Sequence, residues 1–120
     1  MMKKSNSILD KSYEFALRII QLYIKLKNEK EYELGKQLLR SGTSIGANAE
    51  EGACAQSKKD FIAKFSIVLK EAKETHYWIR ILRDSEFITT KDSIQLLNDC
   101  EEIIRITTSI LKTSRIIPTN

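Results

Sequence analysis

Proline occurs once in this chain, at Pro118, almost at the end of its 120 residues. A proline inside a helix removes a backbone donor and collides with the preceding turn, so nearly the whole chain is free to form long uninterrupted helices. Asn-Gly and Asp-Gly pairs are also missing, which removes the strongest short-range signal for paired strands. The length suits one domain with a core of its own.

Apolar residues recur at three- and four-residue steps in four segments. Ile8, Phe15, Ile19, Leu22, Tyr23 and Leu26 mark a first helix over about 8–28, for which Ser7 is a candidate cap. A second stripe of Leu9, Tyr13, Leu17, Ile20 and Ile24 runs beside it, widening the apolar arc beyond what one core-facing side needs. The charged run Asn28 to Glu31 predicts a turn, and a second helix spans about 32–55. Ser57 and Asp60 form an N-terminal signal for a third helix over 58–84, carried by Phe61, Ile62, Phe65, Val68, Leu69, Ala72, Ile79 and Leu82. On that helix Tyr77, Trp78 and Ile81 lie partly outside the main stripe. Thr89 and Thr90 are capping candidates before a fourth helix over 91–112, with Ile94, Leu97, Ile104 and Leu111 as its seam, and the chain frays from Thr113. Four such helices joined by short turns predict an all-α, antiparallel up-down-up-down four-helix bundle.

The segment Arg40 to Gly52 holds three of the four glycines. Leu34, Leu38, Ser41, Ile45, Asn48 and Gly52 share one helical face there. Glycine within a helix costs about 0.5–1 kcal/mol relative to alanine, so Gly42 and Gly46 point to close approach of another helix; a loop between two shorter helices is the alternative. No phosphate-binding glycine motif is present.

Lys and Arg total 20 against 16 Asp and Glu, a net charge of +4. That mild excess permits contact with nucleic acid without requiring it. Lys11, Arg18 and Lys25 form a basic line along the first helix, and Lys36 and Arg40 add cations on the second. A solvated face explains such a line equally well. Cys54 and Cys100 are distant and belong to no paired motif, which predicts reduced thiols packed as small hydrophobes. Met1 to Ser7 leads into charged residues instead of an apolar signal core, and no apolar run approaches membrane-spanning length. The expectation is a cytoplasmic protein with no membrane contact.

The chemistry of sites is sparse. His76 is the single histidine, with Lys73 three residues before it, so neither copy of a Glu-x-x-His di-iron motif exists, and zinc lacks ligands. Neighbouring glutamates at Glu50/Glu51 and Glu101/Glu102 diverge by about 100° on a helix and do not share a proton. No enzyme, metal or cofactor is expected.

Leu39 to Gly52 reads Ser44-Ile45, two residues, Asn48, two residues, Glu51-Gly52, and is followed by Phe61, Phe65, Ser66, Ile67, Glu71, Ala72, Glu74 and Trp78. In these residues the chain resembles the 23S rRNA intervening sequence proteins of bacteria, and more distantly the accessory proteins of diversity-generating retroelements. The resemblance implies a homopentameric ring of bundles, and the distant relatives bind nucleic acid and a reverse transcriptase. It carries no established activity. Gly46 stands at a site the family often fills with proline or a larger residue. By this reading Gly42, Ser44, Ile45, Gly46, Asn48, Glu51, Gly52 and Trp78 serve helix packing or an interface. Asn48 either bonds within one subunit or fixes register against a neighbour. The expected function is a non-enzymatic oligomeric module contacting RNA or DNA backbone through Lys11, Arg18, Lys25, Lys36 and Arg40, with room for a protein partner; a structural protein-protein adaptor is the alternative.

Overall fold

A computed structural model describes residues 7–116. The Ser7 side chain, Pro118 and the chain beyond Ile116 lie outside what it describes. Four helices, α1 (Ser7–Asn28), α2 (Glu33–Ala53), α3 (Lys58–Asp84) and α4 (Thr90–Ile116), make up the fold, with no strand among the described residues. Each helix packs on the next and α4 closes back on α1, giving an elongated bundle of 53 × 25 × 22 Å. Gly42 faces Ile19 and Gly46 faces Ser12. Ser41 meets Thr75, while Glu51 meets Lys64.

Local chemistry sets the ends. Ser57 is extended and its hydroxyl accepts from the Asp60 amide, starting α3. Thr89 does the same for Asp92 ahead of α4. Glu31 accepts from the Leu34 amide at 3.1 Å and opens α2. Helices α1 and α3 close alike. Lys30 and Glu86 take φ of 66°, and the next amides, of Glu31 and Phe87, reach back to the carbonyls of Leu26 and Leu82. This left-handed closure favours glycine, which neither turn contains. Helix α4 continues past Lys112 to Ile116, with the Ser114 hydroxyl bonded to the Ile110 carbonyl; loss of apolar periodicity after Leu111 did not end the helix.

The core is assembled from Phe15, Ile19 and Leu26 of α1, Leu38 and Ile45 of α2, Phe65, Val68, Ile79 and Leu82 of α3, and Cys100, Ile103 and Leu111 of α4. The seam of α4 differs from the expected one. Ile94 is 54% exposed and Ile104 only half-buried, whereas Ser93, Cys100 and Thr107 are fully buried. Small residues repeat there at every second turn, and an apolar count alone passes over them. No described helix is long and apolar enough to cross a membrane.

Candidate functional site

The family-like residues gather on the α2–α3 seam. Arg40 donates to Glu71 Oε1 at 3.3 Å and to Glu74, and Glu74 Oε2 also accepts from Trp78 Nε1 at 3.0 Å. Glu71 is 7% exposed, so Arg40 supplies the charge that a buried carboxylate needs. The bond from Trp78, then that from Arg40, holds the Glu74 carboxyl below its ordinary value, and the Glu74 bond raises Arg40. Further along, Lys64 donates to Glu51 at 2.8 Å. Ser44 donates to the Arg40 carbonyl and Asn48 to the Ser44 carbonyl at 2.9 Å, so both side chains turn back on their own helix. The buried hydroxyls of Ser41 and Thr75 lie 2.9 Å apart and tie α2 to α3 beneath this surface. Thr75 falls on the α3 stripe between Ala72 and Ile79, a position that its polarity obscured.

The glycines face two ways. A Cβ on Gly42 would stand 2.8 Å from Ile19 Cγ2 on α1, and one on Gly52 would stand 2.6 Å from the Phe65 ring on α3. Ile45 is fully buried between them. Gly46 is looser, with 3.4 Å to the nearest atom, the Ser12 carbonyl oxygen.

The candidate cations do not form one patch. Lys11 pairs with Glu102 at 3.2 Å and Arg18 pairs with Asp99, both across to α4. Arg40 belongs to the opposite, α2–α3 seam. Lys25 and Lys36 take part in no ion pair among the described residues. Sequence spacing placed the basic line but could not reveal that Asp99 and Glu102 stand opposite it.

An apolar surface remains uncovered. Tyr13 is 62% exposed, Leu17 47%, Ile20 38% and Ile24 51%. Their three- and four-residue spacing makes one stripe, turned roughly 140° from the side that Ile19 and Leu26 bury. Tyr77 is exposed as well, edge-on to Trp78 with ring centres 5.0 Å apart, and Arg80 stands over its ring at 5.7 Å.

Other chemistry-bearing residues serve as ties. Arg80 donates to His76 Nδ1 at 3.2 Å, leaving Nε2 to carry the proton towards Glu101 at 2.9 Å. Cys100 donates to the Ala72 carbonyl, and burial pushes its thiol up to about 12. Cys54, in contrast with the expected packing, is exposed at the end of α2. No group of three or more metal-binding side chains occurs among the described residues.

These features define a small all-α protein built as a bundle, with an ion-paired seam on one side and an uncovered apolar stripe on another. A profile of the family described as 23S rRNA-intervening sequence protein matches residues 4–109. The chain belongs to that family. A crystal structure from Bacteroides thetaiotaomicron, described as a protein of unknown function from the S23 ribosomal protein family, superimposes with a TM-score of 0.86 at 51% identity, covering 88% of this chain and 98% of that one. No curated protein matches this chain.

Proposed function

We propose that this protein acts as an assembled, non-enzymatic binding module in the bacterial cytoplasm, an antiparallel up-down-up-down bundle whose copies dock through the outer stripe of α1. Opposed residue numbering across α1–α2 and α2–α3 supports the antiparallel arrangement. The observation that carries the assembly is the run of Tyr13, Leu17, Ile20 and Ile24, too large and continuous to stay in water at no cost. Five copies in a ring follow the family resemblance. Closed rings repeat each basic surface, so weak phosphate contacts gain avidity along one RNA or DNA strand.

Of the five candidate cations, Lys25 and Lys36 are the two without an ion pair among the described residues, and they carry the nucleic-acid part of the reading. Arg18 is a poor probe of it, because Arg18→Glu would set a carboxylate against Asp99. Light scattering on the purified protein should give a mass near five times the 13.8 kDa of one chain. Arbitrary RNA should bind at low salt and be released steeply as salt rises, with a shallower salt dependence in Lys25→Glu/Lys36→Glu. A 13.8 kDa particle would end the assembly reading. Absence of RNA binding at low salt would favour an adaptor without nucleic acid, a reading supported by the ion pairs that occupy Lys11, Arg18 and Arg40.

A further inference from the structure

The α1–α4 seam is the loosest of the four, and it opens towards the end of α1 into a groove of about 490 Å³. Leu22, Ile94 and Leu96 form its apolar floor. Ile94 is 54% exposed and lies on no core seam, so its side chain is offered to the groove instead of the bundle interior. Arg18, Lys25 and Lys91 stand at the rim, Gln21 and Gln95 add amides, and Asp92 is the one acid in the lining. Lys25 and Lys91 enter no ion pair among the described residues.

An apolar floor with a cationic rim selects a ligand of the complementary pattern: aliphatic or aromatic side chains on one side, carboxylates along the edges. Nucleic acid fits it less well. Surfaces that hold unpaired bases stack them on aromatic rings, and no aromatic residue lines this groove.

We propose that the α1–α4 groove docks an acidic amphipathic helix of another protein, its apolar face on Leu22, Ile94 and Leu96 and its carboxylates against Lys25 and Lys91. This site holds none of the residues of the uncovered α1 stripe and shares only Lys25 with the RNA reading, so Ile94 and Lys91, which that reading does not use, carry the test.

The probe is a fluorescein-labelled peptide of about 16 residues, long enough to hold a helix, with Leu at i, i+3, i+4 and i+7 and Glu on its outer positions. Anisotropy with the full chain should show it binding about tenfold more tightly than a scrambled peptide of the same composition. Ile94→Asp, and separately Lys91→Glu, should each weaken the patterned peptide about tenfold. Ile94→Ser and Lys91→Gln should weaken it in the same order, keeping the test valid should either charged variant unfold. Equal binding of patterned and scrambled peptides would overturn the proposal. So would unchanged affinity in Ile94→Ser, loss of RNA binding in place of peptide binding, or a fall in particle mass on Ile94→Asp, which would make a second copy of this chain the occupant.

Discussion

Gly42, Gly52 and Gly46 occupy one helix yet differ in what an added methyl group would meet. At Gly42 it would press on Ile19, a fully buried β-branched side chain, at 2.8–2.9 Å, and at Gly52 on the Phe65 ring at 2.6–2.8 Å. Overpacking of this kind costs about 1–3 kcal/mol, more than the helix gains from replacing glycine by alanine. Gly42→Ala and Gly52→Ala should therefore lower the urea midpoint, and Gly42→Leu should lower it further. Gly46→Ala meets only ordinary contact and should raise stability by up to about 1 kcal/mol. A rise in all three would show that α1 and α3 stand farther from α2 than described. Spacing in the sequence pointed to close approach at Gly42 and Gly46; the crowded pair is instead Gly42 and Gly52, because Ile19 and Phe65, distant in the chain, are what press on the helix.

At the scale of elements, the α2–α3 seam is a charge network and the outer side of α1 an apolar one, and each carries its own test. Glu74 has a folded-state carboxyl below its unfolded value of 4.5. Its contribution is therefore full above that value and is lost as pH falls through the lower folded-state one. Arg40→Met removes part of the cause and strips Glu71 of its cation. It should destabilise at neutral pH by about 1–3 kcal/mol, flatten the acid limb, and alter Trp78 emission through Glu74. Identical acid limbs in variant and parent would sink this account. On α1, Leu17→Glu with Ile24→Glu alters residues already in water within one subunit, so helicity should persist and thermal stability of the isolated fold should move little. Particle mass should fall towards 13.8 kDa. Unchanged mass would place the docking surface elsewhere, with Tyr77 and Trp78 the next surface to alter.

For the molecule as a whole, an elongated bundle leaves much of its surface facing outward, so function depends on which long seams are satisfied internally. Placing Arg18 and Arg40 on opposite seams divides the candidate cations between two sides of one subunit, and affinity for a polyanion should come from repeated copies. A monomeric variant such as Leu17→Glu/Ile24→Glu should accordingly bind arbitrary RNA far more weakly than the parent at the same chain concentration, as read by anisotropy; equal affinity would remove avidity from the account. Periodicity and the scarcity of proline were enough by themselves to determine four helices, because three- and four-residue spacing is a local property of the chain. Capping at Ser57 and the second stripe of α1 were legible for the same reason. Tertiary structure alone decided the rest. Whether Lys11 and Arg18 are neutralised, why Ser93 and Thr107 are buried while Ile94 is not, and where the groove opens all depend on contacts between residues far apart in sequence. Helical spacing says which side chains share a face, but the energy of that face is set by what another helix brings against it.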